Sequence, residues 1–127
     1  MGVRTGIDIV EIDRIRNALT KAGDAFIHRV YTDKEIKYCE SRKEAGIASF
    51  AARFSAKEAV SKALGTGIAT GIVFHDIEIV NDALGKPVVF LYGEAEVRFK
   101  NVGGKAIDIS LTHCREYAAA YVVIETE

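Results

Sequence analysis

At the glycine-rich connector 65–71 (G-T-G-I-A-T-G) the hydrophobic period of this chain changes from helical to alternating, and that change constrains the fold more than any other feature. In the segment leading up to it, apolar residues recur every three to four positions, and Ile47, Phe50 and Phe54 form one stripe of a long helix expected over 47–64. After it they alternate: residues 106–112 (A-I-D-I-S-L-T) put Ile107, Ile109 and Leu111 on one face of a strand. Residues 74–80 and 88–92 read as antiparallel strands joined by a turn, 93–102 as a short helix, and 117–124 as a last strand. Helices first and strands last predict an α+β fold, with the helices packed on an antiparallel sheet. The β-branched stretch 3–12 is expected to join that sheet.

Caps mark the helices of the first half. Asp13 can cap a helix over 14–22 that stops at Gly23, and Asp24 a second one reaching about residue 30. Thr32 and Glu35 form a capping box for a third helix through about residue 42, and Gly46 separates it from the long one. With 127 residues, no repeat and no linker, a single domain over 1–127 is expected. A net charge of −1 argues against a nucleic-acid partner. No apolar run has membrane-spanning length and the first residues lack the regions of a secretion signal, so no membrane partner and a cytoplasmic location are expected. Cys39 and Cys114 lie in no metal-ligand spacing and fit reduced thiols.

Three places carry charge where packing alone does not ask for it. The apolar stripe of the long helix runs on into Glu58, Ser61, Lys62 and Gly65. Buried charge is unfavourable unless paired or bound, so this face is either a solvated i,i+4 Glu–Lys pair or a site. Asp8 stands between Ile7 and Ile9 in the first strand, a poor position for an aspartate unless it faces water at an edge or meets a partner. Arg14, Ala18 and Lys21 share one basic face of the first helix, which is either solvated or fits an acidic protein partner.

These residues fall into two longer signatures, 6–15 (G-I-D-I-V-E-I-D-R-I) and 51–67 (A-A-R-F-S-A-K-E-A-V-S-K-A-L-G-T-G). With 31–35 (Y-T-D-K-E), Asn81-Asp82, Gly85-Lys86-Pro87 and 110–113 (S-L-T-H), the chain resembles the bacterial holo-acyl-carrier-protein synthase family of the 4′-phosphopantetheinyl transferase superfamily over nearly its whole length. The resemblance implies transfer of the phosphopantetheine arm of coenzyme A to a serine of apo acyl carrier protein, for fatty acid biosynthesis, with release of adenosine 3′,5′-bisphosphate. It implies Asp8 and Glu58 as ligands of Mg²⁺, a hard cation suited to one or two carboxylates plus water and phosphate. It makes Glu58, directly or through a metal-bound water, the base for the serine hydroxyl. Arg53, Ser61, Lys62, Gly65 and His113 become coenzyme A contacts, with backbone donors of 65–67 approaching a phosphate. Without the resemblance, Arg53 reads as a surface charge and His113 as a turn residue. Thr112 and Cys114 flank His113 where the family has Ser and often Thr. Arg14 and Lys21 become the docking face for the acidic carrier protein, and the assembly a homotrimer with active sites between subunits.

Two other classes compete. A non-catalytic trimeric nucleotide- or anion-binding module needs the glycine turn and Lys62 but not two converging carboxylates. A metal-dependent nucleotide pyrophosphohydrolase usually shows denser glutamates on one helix than this chain has.

Overall fold

A computed structural model describes all 127 residues. Strand β1 (Gly2–Glu11) leads into three short helices, α1 (Ile12–Lys21), α2 (Asp24–Val30) and α3 (Asp33–Ser41), and then the long α4 (Gly46–Leu64). A hairpin of β2 (Ile77–Asn81) and β3 (Pro87–Leu91), helix α5 (Gly93–Asn101) and the long strands β4 (Gly104–His113) and β5 (Tyr117–Thr126) complete the chain. The α+β expectation therefore holds. Strand β5 is central in an antiparallel sheet of order β1-β5-β4, with Asp8 opposite Ala120 and Ile109 opposite Val122. The β2-β3 hairpin stands beside β4 as a separate pair.

Helix α4 is the axis of the molecule. Of its 19 residues, 13 are buried, so it is enclosed on nearly all sides rather than on one stripe. Its many alanines permit this, because each neighbouring element can approach the helix backbone closely. On one side Ala56, Val60 and Leu64 pack with Ile77, Ile79, Ile109, Val122 and Ile124. On the other, Phe50 and Ala51 pack with Ile15, Phe26, Val30 and Tyr31 from the short helices. Gly6 marks the closest approach of β1: a methyl group added there would sit 1.9 Å from the Ala59 carbonyl oxygen. That contact fixes the height of β1 along α4.

Element boundaries depart from expectation where main-chain groups do the capping. The Ile12 amide donates to the Glu116 carbonyl at 2.8 Å, so α1 starts before Asp13, whose carboxylate instead pairs with Arg16. Asp24 likewise lies in the first turn of α2, with Gly23 at the cap. The Thr32–Glu35 capping box forms as expected. Helix α4 begins at Gly46 itself. Strand β2 starts at Ile77, because Phe74–Asp76 winds into a 3-10 turn.

Candidate active site

The alternation of β1 turns Arg4, Gly6, Asp8 and Val10 toward α4 and leaves Val3, Ile7 and Ile9 outside. With Gly6 pressed on the helix, Asp8 lands over one flank of it. Ser55 Oγ lies 2.8 Å from the Asp8 carbonyl oxygen and 3.1 Å from its Oδ2. Lys62 Nζ donates to Asp8 Oδ1 and to the Ile7 carbonyl, both at 3.1 Å. The Asp8 side chain is 16% exposed and that of Lys62 is 51%. Lys62 therefore pairs with a strand 54 residues away, not with Glu58 one turn back.

Glu58 is the unbalanced member of this cluster. Burial pushes its carboxyl above the ordinary range, the Asp8 charge adds to that, and Lys62 and Arg14 oppose it. It takes part in none of the chain's ion pairs. Two carboxylates within electrostatic reach of each other, one without an ion-pair partner, fit a divalent cation that takes hard oxygen ligands. No third carboxylate, histidine or cysteine joins them. That donor set suits an ion that keeps water and substrate oxygens in its shell better than one caged by protein.

Two expected donors are turned inward. Ser61 is fully buried, and its hydroxyl donates to the Glu58 carbonyl at 2.7 Å within the helix. Gly65 adopts the left-handed conformation (φ 89°) that ends α4, which favours glycine. The amides of Gly65, Thr66 and Gly67 all converge on the Ser61 carbonyl, at 3.1, 3.2 and 3.1 Å. The glycine turn therefore gives these three N–H groups to the helix end, where the resemblance implied that they approach a phosphate. Their office is to close the helix.

Arg53 lies elsewhere. Five residues before Glu58, it is about 140° around the helix, and it faces the β2-β3 hairpin. It is 3% exposed, not a surface charge. Its guanidinium lies 4.4 Å from the Tyr38 ring centre and donates from Nη2 to Asn81 Oδ1, while Nε is buried without a partner. Arg53 lines an open cavity of about 400 Å³ with Lys34, Tyr38, Asn81, Asp82 and Gly85. His113 ends β4, exposed, opposite Ala118. Asp8, Glu58 and Lys62 thus come together, whereas Arg53 and His113 belong to other parts of the chain. On α1, Arg14 is exposed and close enough to Glu58 to influence it, and Lys21 is exposed in the last turn.

Ser55 was not foreseen, although a hydroxyl between Phe54 and Ala56, three residues before Glu58, is the kind of signal that marks it. Nor was the buried pair of Lys57 and Glu35, which no local spacing connects.

Similarity to known proteins follows this geometry. The 4′-phosphopantetheinyl transferase superfamily matches residues 4–122. The holo-[acyl-carrier-protein] synthase of Ruminiclostridium cellulolyticum is 52% identical over 124 residues, covering 98% of this chain and 92% of the relative. The crystal structure of the holo-[acyl-carrier-protein] synthase from Neisseria meningitidis superposes with a TM-score of 0.87 at 34% identity, covering 97% of this chain and 98% of that one. The Helicobacter pylori holo-[acyl-carrier-protein] synthase in complex with coenzyme A gives 0.81 at 32%, covering 95% and 99%.

Proposed function

Because this chain belongs to the 4′-phosphopantetheinyl transferase superfamily, we propose that it transfers the 4′-phosphopantetheine arm of coenzyme A to a serine of apo acyl carrier protein. Adenosine 3′,5′-bisphosphate leaves, and the work serves fatty acid biosynthesis in the cytoplasm. The observation that carries the reading is the convergence of Asp8, Glu58 and Lys62 at the contact of β1 with α4.

Asp8 and Glu58 would hold Mg²⁺ through carboxylate oxygens. When bound, the ion supplies positive charge against the pyrophosphate and the leaving phosphate. Ser55 and Lys62 hold the Asp8 carboxylate in place from two sides. Lys62, with half its side chain exposed, can exchange this contact for a substrate phosphate oxygen as a mobile point charge. Glu58 accepts the proton of the carrier serine as its oxygen bonds to phosphorus. The phosphorus–oxygen bond to the bisphosphate breaks in line.

The separation of the two flanks of α4 supports assembly as a homotrimer. One chain directs Asp8 and Glu58 to one flank and Arg53 to another, so a single coenzyme A would meet both sets only across two copies. A contact that joins unlike patches closes into a ring when its rotation allows. The outer face of β1 and β5 offers the apolar surface for it: Val3, Ile7 and Ile9 are 69%, 66% and 65% exposed, beside Tyr121. Arg53, with Tyr38, and His113 then take the nucleotide end of coenzyme A. Arg14 and Lys21 meet the acidic carrier, steering encounter more than fixing affinity. No helix is long and apolar enough to cross a membrane.

Intact-mass spectrometry of apo acyl carrier protein incubated with coenzyme A, Mg²⁺ and this protein tests the reaction. A gain equal to the phosphopantetheine arm is expected. Coenzyme A bound without any gain on the carrier would leave a nucleotide-binding module instead.

A further inference from the structure

The carboxyl end of α4 poses an electrostatic difficulty. The last carbonyls of a helix carry partial negative charge, equivalent to roughly half an electron, and repel a nearby anion. The proposed substrate is a polyanion bound at Lys62, in the last turn of this helix. The inward-turned amides of Gly65, Thr66 and Gly67 cannot soften that field toward a ligand, since all three serve Ser61.

Two arginines from distant parts of the chain occupy this end. Arg4 of β1 donates from Nε to the Ala63 carbonyl at 2.8 Å and from Nη2 to Leu64 at 3.3 Å. Arg98 of α5 donates from Nε to the same Leu64 carbonyl at 2.9 Å. The Nη2 atoms of both stand over Gly65, at 2.7 and 3.3 Å from where a methyl group on that residue would lie. Neither arginine is in an ion pair: Glu94, which shares a crevice with Arg98, does not pair with it. Two full positive charges therefore meet a partial negative one, and neither is tied up in an ion pair. Arg4 keeps Nη1, and Arg98 both terminal nitrogens, free of hydrogen bonds within the chain.

We propose that Arg4 and Arg98 reverse the sign of the field at the carboxyl end of α4, and thereby set the affinity for the phosphates of the substrate. They are positioning residues that act through the helix end and the Gly65 turn. The inference rests on the coenzyme A reading above, and it deepens that reading by naming what lets a helix terminus of the wrong polarity receive a polyanion.

Calorimetric titration of coenzyme A into the full chain tests it, with Arg98→Gln, Arg98→Lys, Arg4→Gln and Arg4→Lys beside the unsubstituted protein at two salt concentrations. Glutamine can keep a hydrogen bond to the carbonyl without the charge; lysine keeps the charge. Each glutamine variant is expected to raise Kd for coenzyme A about fivefold to tenfold at low salt, with a shallower salt dependence. Each lysine variant recovers most of the loss, and KM for the carrier protein stays within about twofold in all four. Thermal melting confirms that the variants are folded; if one glutamine variant is not, the other carries the comparison. Equal Kd values for glutamine and lysine variants, or no change in any, would overturn the proposal and leave the arginines as plain helix caps. No binding by the unsubstituted protein would instead defeat the coenzyme A reading, and this inference with it.

Discussion

Lys57 and Glu58 are neighbours on α4, and their fates differ. Lys57 points inward, fully buried, and spends its three N–H donors on Glu35 Oε1 at 2.8 Å, the Phe74 carbonyl at 3.0 Å and the Ile77 carbonyl. Glu35, equally buried, also accepts from the Thr32 amide at 2.9 Å and the Ile79 amide at 2.8 Å. Both charges of the pair have their partners, and Glu78 beside them accepts from the Thr32 and Tyr92 hydroxyls. One residue on, Glu58 is half-buried beside Asp8, its carboxyl pushed up first by burial and then by that carboxylate, and without an ion pair of its own. A charged cluster complete in itself holds elements together, here α3, α4 and β2; one left incomplete at a surface is built for something from outside.

The largest expected effect breaks the complete cluster. Lys57→Met leaves the Glu35 carboxylate buried and unpaired, and should lower the unfolding free energy by about 3–5 kcal/mol in urea titrations. Adding Glu35→Leu to it should restore part of the loss, because the orphaned charge goes as well. A double variant less stable than either single one would show the pair to be a net source of stability instead.

The incomplete cluster should answer in the opposite currency. Asp8→Asn or Glu58→Gln is expected to lower the transfer rate by about 10²–10³-fold, some 3–4 kcal/mol of barrier, while the urea midpoint of Glu58→Gln stays at or above that of the parent and Asp8→Asn loses at most about 1 kcal/mol with its half-exposed Lys62 pair. Removing one of two adjoining carboxylates relieves repulsion. A large loss of stability in these variants would erase the distinction between the two clusters.

Docking should be weaker still. Arg14→Glu is expected to raise KM for the carrier protein about tenfold at low salt, with KM for coenzyme A little changed and the difference shrinking as salt rises. Equal increases for both substrates would remove α1 from the docking surface.

The smallest effect concerns how closed the inner side is. Cys39, on α3 in the same buried region as Arg53 and Tyr31, has its thiol pushed from about 9 up to about 12, chiefly by burial. The unfolded chain loses that proton at lower pH than the folded one, so the contribution is complete below pH 9 and is lost as pH rises through 12. Between pH 9 and 10 stability should therefore fall by about 1 kcal/mol, and Cys39→Val should flatten that part of the profile. Identical slopes would mean the thiol is not closed off from solvent.

Much of this was legible in the sequence, and the rest was hidden for physical reasons. The change of hydrophobic period at 65–71 foretold the long helix and the strands after it, because periodicity reports which face of an element is buried. Asp8 stood out because an aspartate inside an apolar strand needs an explanation. The Thr32–Glu35 capping box was readable, yet its second task, pairing with Lys57, depends on a contact 22 residues away that spacing does not encode. Arg53 was obscured because α4 is enclosed on nearly all sides, so a single stripe could not tell which of its charges face inward. The glycines at 65 and 67 announced conformational freedom but not the direction of their amides, which the Ser61 carbonyl decides.

The difference between Lys57 and Glu58 reduces to one comparison: the intact mass of apo acyl carrier protein after equal incubation with coenzyme A, Mg²⁺ and either the parent chain or folded Glu58→Gln. The parent should add the phosphopantetheine arm and the variant should leave the carrier unchanged over the same interval. Equal modification by both would contradict the assignment of Glu58, and with it the reading of the incomplete cluster as the active site.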